Sequence, residues 1–256
     1  MEEQIEKAAL DIEKLKRIYS AILIRKLKKE QPIWEEIFKI GTENSAGDLI
    51  IAGGFIYRPI IEAKYRRKTK REDGIIDVDF IASQLSREPY SPRPLGWAEQ
   101  RTIYGNPSYV KGNHYVVLND MHTFHSIMVS GRQPTIENLL DLTPLDIQSI
   151  GWIIKRDDLF AGELVGDKGI LAIYNRQVRM NNREEAVYEI RRRLAYEAQL
   201  DLGSEEFNLH MRQFNIEDLL KKFIESKAKD LRFTPIPFDS PQSAEEKKEG
   251  DKTAFP

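Results

Sequence analysis

Two adjacent glycines, Gly53 and Gly54, divide an apolar stretch of the chain into two short runs, residues 49–52 and residues 55–61. Short runs rich in isoleucine that are separated by two glycines are typical of a β-hairpin. The pattern therefore predicts a strand, a tight turn and a second strand. We start from this element because it constrains the fold of the chain more than any other part of the sequence.

Charged side chains stand at the outer ends of the two predicted strands. Asp48 opens the first strand, and Glu62 and Lys64 close the second on one face, since strand side chains alternate between faces. A hairpin that turns at the two glycines places the start of its first strand beside the end of its second. We therefore expect two carboxylates and one ammonium to meet at one edge of a sheet. Such a cluster suits Mg²⁺ binding and phosphodiester hydrolysis.

At these residues the chain resembles the PD-(D/E)xK nuclease superfamily, which has the restriction-endonuclease-like fold. The match consists of Gly47-Asp48, a hydrophobic strand, a glycine turn, a second strand and Glu62-Ala63-Lys64. The proline that usually precedes the aspartate is replaced by Gly47, and the match covers only a short part of the chain. The resemblance implies an α/β fold with a mixed β-sheet core flanked by helices, a long N-terminal helix and C-terminal α/β additions.

The resemblance also implies a set of catalytic and metal-binding residues. The implied metal ligands are the side chains of Asp48 and Glu62 and the backbone carbonyl of Ala63. Lys64 is implied to orient the attacking water or to offset charge on the pentavalent phosphate. In the superfamily a glutamate from the helix before these strands often completes the metal shell. Glu36 is the candidate here, with Glu35 and Glu43 as alternatives, and an exposed acidic face is the structural alternative. The implied cofactor is Mg²⁺, for which Mn²⁺ is expected to substitute.

The implied activity is that of a Mg²⁺-dependent phosphodiesterase, a deoxyribonuclease that hydrolyses phosphodiester bonds in DNA. A restriction-type endonuclease is the first expectation, and a Holliday-junction or flap-type structure-specific nuclease is the second. Two alternatives stay open: a non-catalytic DNA-binding or assembly protein on the same fold, and an enzyme that acts on another phosphate or sugar substrate. DNA is the expected partner in all but the last case.

Basic residues directly follow the predicted lysine. Residues 65–71 contain five positive charges, and arginine and lysine neutralise a nucleic-acid backbone without reading its sequence. A solvated loop is the alternative interpretation. Further candidates stand on a predicted helix, residues 75–88, and in a loop rich in proline and aromatic residues, residues 89–113. The expected nucleic-acid-binding residues are Arg66, Arg67, Lys68, Lys70, Arg71, Gln84, Arg93 and Arg101.

The remaining elements are predicted from periodicity and capping residues. Residues 3–29 carry a heptad-like apolar stripe, which predicts a long helix that packs on its own domain or forms a homodimer contact. A second helix is expected to begin at Pro32 and to end at Gly41. Residues 135–150 are predicted to form one helix or two short helices around Pro144. Later helices are predicted at residues 183–200, after an N-cap at Asn182, and at residues 204–229, with a possible break near Asn215. Strands are predicted at residues 114–120, 123–129, 152–158 and 169–174.

These elements suggest a division of the chain. Residues 1–132 are expected to form the nuclease-like core with the N-terminal helices. Residues 133–238 are expected to form a C-terminal α/β subdomain or a continuation of the same domain. Residues 239–256 contain little to bury and are expected to be a disordered tail.

Composition limits the class of protein. Of 256 residues, 41% are hydrophobic and 31% are charged, which is typical of a soluble globular protein. The sequence has no apolar run of about 18 residues and no secretory signal, so we expect a cytoplasmic protein without a membrane partner. The absence of cysteine excludes disulfides and thiolate metal sites. Because the formal net charge is −2, a nucleic-acid surface has to be a local patch.

Overall fold

The computed structural model describes residues 2–69, 74–86, 95–102 and 105–237, with the backbone alone for residues 2–10 and 159. The first half of the chain forms α1 (Glu2–Lys29), α2 (Gln31–Glu43), β1 (Ser45–Ala52), α3 (Gly54–Tyr65), β2 (Ile76–Leu85), β3 (Ala98–Arg101), β4 (Pro107–Lys111) and β5 (His114–Asp120). The second half forms α4 (His125–Ser130), α5 (Ile136–Asp141), β6 (Gly151–Lys155), β7 (Asp158–Val165), α6 (Asp167–Asn175), β8 (Gln177–Val178), α7 (Arg183–Ala198), α8 (Glu205–Met211), α9 (Ile216–Leu231) and β9 (Thr234–Pro235).

A seven-stranded sheet forms the centre of the molecule. Its strand order is β3-β4-β5-β2-β1-β6-β7, and every neighbouring pair is antiparallel except β2 and β5, which run parallel. The two short strands β8 and β9 form a separate parallel pair. The prediction of a mixed α/β fold with helices flanking a sheet is therefore confirmed.

The sheet has a buried cluster on each face. Along β1, Leu49 and Ile51 belong to the large core with α1, α2 and α3, whereas Ile50 and Ala52 belong to a smaller cluster with α5. This alternation follows from the two-residue period of a strand. Since β1 is covered on both faces, its last four residues are apolar without interruption, as in other central strands.

The predicted hairpin is wrong, because the second apolar run forms helix α3 and not a strand. The residues of the run are buried almost all the way around the helix. A short apolar run cannot be assigned to a strand or a buried helix from periodicity alone. In the folded protein, Gly53 ends the strand with φ +72° and Gly54 begins the helix, so the two glycines form a strand-to-helix turn.

Three further elements differ from the sequence prediction. Residues 75–88, predicted as a helix, contain strand β2, in which Val78, Phe80 and Ala82 enter one core cluster at a two-residue spacing. Residues 169–174, predicted as a strand, lie within α6, whose buried positions follow a helical period. The strand predicted at residues 123–129 is replaced by a short 3-10 turn and α4. In each case burial by neighbouring elements decides between two conformations that the local pattern allows.

Several predicted elements are confirmed. They are the helices α1 and α2, the strands β5 and β6, and the helices α7 and α9, each of which follows an asparagine. The Asn182 side chain accepts a hydrogen bond from the backbone of Glu185 at the start of α7, and the Asn215 side chain accepts bonds at the start of α9. Part of α1 packs on its own domain through the buried Tyr19, Leu23 and Leu27.

No helix among the residues described is long and apolar enough to cross a membrane. The predicted tail, residues 239–256, lies outside the described residues. The division into residues 1–132 and 133–238 stays a prediction.

Candidate functional site

The turn between β1 and α3 exposes backbone to solvent. Gly53 has φ +72°, a left-handed conformation that favours glycine, and a Cβ added there would meet no described atom within 4 Å. No described side chain caps the start of α3. Ile56 and Tyr57 donate their backbone N–H groups to the Gly53 carbonyl, at 3.0 and 3.2 Å. The two N–H groups before them, those of Gly54 and Phe55, have no partner within the helix and lie beside the open space at Gly53. This turn can therefore receive a ligand that accepts hydrogen bonds.

A positive side chain lies close to the start of α3. A Cβ added to Gly54 would lie 3.5 Å from Nε of Arg58 and 3.6 Å from the hydroxyl of Tyr57. The N-terminal end of a helix also carries a partial positive charge from its aligned peptide dipoles. The combination of open N–H groups, a positive helix end and a guanidinium favours an anionic ligand such as a phosphate.

Two aspartates on β2 stand beside this turn. In the antiparallel pairing of β1 with β2, Ala52 is opposite Asp79, so Asp79 lies next to the end of β1. Asp77 precedes it by two residues and therefore extends past the end of β1, alongside the glycine turn. Two residues apart on a strand, the carboxylates project from the same face with Cα atoms about 6.6 Å apart. The register thus places both acids beside the Gly53–Gly54 turn.

The environment of the two aspartates disfavours their negative charge. Burial, and secondly the charge of Asp79, raises the pKa of Asp77 to about 7. The Asp77 side chain still has an exposed surface, so the protein surrounds the carboxylate without covering it. Burial also raises the pKa of Asp79. A hydrogen bond from Asn119 and the positive charge of Arg192 lower this pKa, but their effect is smaller than that of burial. A bound cation would relieve the repulsion between the two carboxylates.

The set of donors fits a magnesium ion that also binds phosphate oxygens. Mg²⁺ usually takes one or two protein carboxylates, keeps several waters and shares substrate phosphates as further ligands. The pair Asp77 and Asp79 meets this requirement. No group of three or more His, Asp or Glu side chains that could hold a metal occurs in the described part of the chain. The site therefore fits an ion that arrives with a phosphate ligand, and it does not fit an ion enclosed by protein ligands alone.

The structure does not bring the predicted nuclease residues together around a metal. Asp48 is exposed in the middle of β1, five residues before Gly53. On α3, the Glu62 carboxylate accepts hydrogen bonds from the backbone and hydroxyl of Thr69, at 3.1 and 2.8 Å. Lys64 instead donates to the hydroxyl of Tyr19 at 2.5 Å. Because Ala63 also lies in the helix, the predicted convergence at a sheet edge is wrong.

Glu36, the predicted fourth ligand, accepts hydrogen bonds from one cation and one neutral donor. Its carboxylate accepts hydrogen bonds from the Trp97 indole at 2.8 Å and from the Lys111 ammonium at 2.5 Å. The bond from Lys111 is the main reason that the pKa of Glu36 is lowered. Of the alternatives, Glu35 accepts a bond from Gln31, and Glu43 pairs with Lys39. Glu36 thus links α2 to β4 as a structural ion pair.

The predicted nucleic-acid-binding residues are spread over the surface. Arg66 ends α3 in a left-handed conformation, and both Arg66 and Lys68 are exposed. The Arg67 guanidinium donates to two backbone carbonyls at the end of α9. Gln84 and Arg101 are exposed on β2 and β3. Their role in nucleic-acid binding stays a prediction, and three other candidates lie outside the described residues: Lys70, Arg71 and Arg93.

The aspartate pair on β2 is not among the site residues predicted from the sequence. The signal was present, because two aspartates at alternate positions within an isoleucine-, valine- and phenylalanine-rich segment, residues 75–82, indicate a strand with both acids on one face. Assigning this segment to a helix placed Asp77 and Asp79 about 200° apart around a helix axis. The paired glycines were noticed, but only as a hairpin turn.

Comparison with known proteins gives matches among solved structures alone. No protein-family model and no curated protein matches the sequence. One match is a CCA-adding enzyme in complex with CTP, with 18% identity, 81% of this chain and 46% of that chain covered, and a TM-score of 0.46. A tRNA-processing enzyme in an apo form is 15% identical, with 77% of this chain and 47% of that chain covered and a TM-score of 0.41. A Thermotoga maritima CCA-adding enzyme complexed with tRNA is 17% identical, with 78% of this chain and 43% of that chain covered and a TM-score of 0.42. The chain spans less than half the length of each.

The resemblance to PD-(D/E)xK nucleases is wrong. The segment that carried it is a strand followed by a helix, so the hairpin that would bring Asp48, Glu62 and Lys64 together does not form. The expectations that followed from the resemblance are wrong with it. They are the Mg²⁺-dependent deoxyribonuclease, in its restriction-type and structure-specific forms, the assignment to hydrolases, and DNA as the partner.

Proposed function

We propose that this chain is a nucleotidyltransferase, which binds a nucleoside triphosphate beside the Gly53–Gly54 turn and transfers its nucleotidyl group to an acceptor hydroxyl. One observation carries the proposal: the register that sets Ala52 opposite Asp79 places an aspartate pair next to an open, glycine-containing helix N-terminus. Phosphate binding and divalent-ion binding are thus combined at one point of the fold.

The glycine turn supplies the phosphate-binding part of the proposed site. Because glycine has no Cβ, the β- and γ-phosphates can approach the backbone closely. The N–H groups at the start of α3 donate hydrogen bonds to the phosphate oxygens. Gly53 has open space above it, and Arg58 lies next to Gly54. This arrangement supports the binding of a polyphosphate with its terminal groups toward α3.

The aspartate pair supplies the metal-binding part. Asp77 and Asp79 would hold Mg²⁺, and their raised pKa values support this assignment because a divalent cation offsets the charge that burial and mutual repulsion disfavour. When bound, Mg²⁺ neutralises charge on the phosphate oxygens and on the departing pyrophosphate.

The proposed reaction forms one phosphorus–oxygen bond and breaks another. The acceptor hydroxyl oxygen attacks the α-phosphorus, the bond from that phosphorus to the bridging oxygen breaks, and pyrophosphate leaves with the electron pair. The hydroxyl proton passes to water. The residues of this chain contribute mainly by position, because they fix the triphosphate between α3 and β2 with its α-phosphorus exposed to the acceptor.

The proposal is tested with nucleoside triphosphates labelled at the α-phosphate. CTP and ATP are tried first with tRNA as acceptor, because these are the ligands named for similar solved structures. GTP, UTP, other RNA and the protein itself follow. We expect label in the acceptor and release of pyrophosphate, both dependent on Mg²⁺. The substitutions Asp77→Asn and Asp79→Asn should each lower the rate by about a hundredfold or more.

The matched control is Glu163→Gln, which removes an exposed carboxylate from β7 and should leave the rate unchanged. Full transfer by both aspartate variants would contradict the proposal. So would the absence of nucleotide transfer to every acceptor tried.

A further inference from the structure

Three positive side chains surround the ring of Tyr65 at the C-terminal end of α3. The Arg176 guanidinium carbon lies 4.1 Å from the ring centroid, the Arg67 guanidinium carbon 5.3 Å and the Lys64 ammonium 5.4 Å. The Lys64 ammonium also lies 4.6 Å from the ring of Tyr174. These five residues are called the Tyr65 cluster below. They join α3 to α6 and to the residue that follows it.

Among the described residues, no acid forms an ion pair with the cations of the Tyr65 cluster. No ion pair between described residues includes Lys64, Arg67 or Arg176. Burial, and then the charge of Arg176, lowers the pKa of Lys64. Burial lowers the pKa of Arg67 as well, with Arg176 and Arg232 as further causes. Like charges held this closely repel one another, so an anionic ligand would stabilise the cluster.

The Tyr65 cluster is separate from the proposed nucleotide site. It stands at the last residues of α3, whereas the Gly53–Gly54 turn stands at the first. A helix of 12 residues is about 18 Å long. Exposed cations continue the positive surface beyond the cluster, namely Arg66, Lys68 and Arg232. The surface therefore offers positive charge for several phosphates and is larger than one phosphate group needs.

The cluster also exposes an aromatic ring. The side chain of Tyr174 is 55% exposed, and it stands beside the Lys64 ammonium. Aromatic rings interleaved with arginine and lysine are the chemistry that binds single-stranded nucleic acid, since bases stack on the rings while the cations neutralise the backbone. Unpaired bases that can be splayed out in this way are typical of RNA loops and ends.

We propose that the Tyr65 cluster binds a single-stranded segment of RNA, with backbone phosphates at Arg67 and Arg176 and a base against Tyr174. The additional exposed cations, Arg66, Lys68 and Arg232, favour a strand with several phosphates over a free nucleotide. The inference does not rest on the proposed nucleotidyl transfer, because RNA binding is measured without nucleoside triphosphate or divalent ions.

The test measures the fluorescence anisotropy of a labelled single-stranded RNA of mixed sequence, titrated with the full chain at several salt concentrations. We expect the double substitution Arg67→Gln and Arg176→Gln to weaken binding at least about tenfold. Loss of two phosphate contacts should also make the plot of log affinity against log salt shallower by about 1.4. A matched double substitution, Arg132→Gln and Arg183→Gln, removes the same charge from arginines that are paired with Asp141 and Glu217. It should change the affinity less than about threefold.

A second variant guards against a loss of folding in the double substitution. Because Tyr174 is exposed, Tyr174→Ala should fold as the wild type does, and we expect it to lower RNA affinity about fivefold or more through loss of stacking. Equal losses in the cluster and control variants would overturn the proposal, as would unchanged affinity in both cluster variants. A free mononucleotide that competes as well as RNA would also overturn it. The same holds if the protein binds phosphatidylserine vesicles and not RNA.

Discussion

Removal of the Asp77 charge should stabilise the folded protein at alkaline pH. Asp77 has an ordinary carboxyl pKa of 3.8 when the chain is unfolded, and burial together with Asp79 raises it to about 7 in the folded state. Between these two pH values the folded protein keeps a proton that the unfolded chain has released. The free energy of unfolding therefore falls as the pH rises from about 4 to about 7. An asparagine side chain cannot ionise, so the variant Asp77→Asn avoids this loss.

The size of the effect follows from the two pKa values. A difference of about three between them corresponds to roughly 4 kcal/mol at most, since each tenfold change in proton affinity is about 1.4 kcal/mol. Although protein surrounds the Asp77 carboxylate, the side chain keeps an exposed surface, so solvent screening reduces this free energy. We expect Asp77→Asn to raise the free energy of unfolding by about 1–2 kcal/mol at pH 8 and by little at pH 4.

Urea unfolding at equilibrium measures this difference. The wild type and Asp77→Asn are compared at about pH 8 and pH 4 in buffer with a metal chelator, and Glu163→Gln serves as the control with one fewer exposed carboxylate. Addition of Mg²⁺ at pH 8 should narrow the gap, because the ion stabilises the ionised pair of the wild type alone. A destabilised variant at pH 8, or an equal gain at both pH values, would refute the reasoning.

Three other predictions concern single side chains. Glu36→Gln should lower the free energy of unfolding by up to about 1 kcal/mol at pH 7, because the Lys111 contact stabilises the ionised carboxylate and lowers the pKa of Glu36. This loss should shrink as the pH falls through that lowered pKa. Urea unfolding at pH 7 and pH 3 measures the difference. Gly53→Ala forces a Cβ into a left-handed conformation and should cost about 1–2 kcal/mol in thermal unfolding, with weaker triphosphate binding. Asn215→Ala removes the N-cap of α9 and should cost about 1 kcal/mol, whereas an unchanged melting temperature would argue against the cap.

Some of the fold follows from local sequence. Helices α7 and α9 are preceded by asparagines whose side chains cap them, and α2 has a proline in its first turn, so local chemistry sets these helix starts. The long α1 combines a sustained apolar stripe with an absence of glycine and proline. Such signals lie within a few residues and do not depend on which element packs nearby.

The candidate site did not follow from local sequence, because α3 and β2 were each assigned to the other class. Both are apolar segments buried by their neighbours: α3 contacts the core on nearly every side, and β2 lies between β1 and β5. In α3, burial on nearly every side removes the periodicity that distinguishes a helix from a strand. In β2, the apolar residues Val78, Ile81, Ala82 and Leu85 also fit a helical spacing, which competes with the alternation of the two aspartates. With α3 assigned to a strand and β2 to a helix, the predicted site contained Glu62 and Lys64 in place of Asp77 and Asp79. The pairing of β1 with β2 shows the position of the two aspartates.

The most direct test of the central claim is calorimetric titration of the protein with a non-hydrolysable nucleoside triphosphate analogue in the presence and absence of Mg²⁺. If the Gly53–Gly54 turn and the Asp77–Asp79 pair form one site, binding occurs with Mg²⁺, weakens at least tenfold without it, and weakens similarly in Asp79→Asn but not in Glu163→Gln. Binding that is equal in Asp79→Asn and the wild type, or that ignores Mg²⁺, would contradict the account.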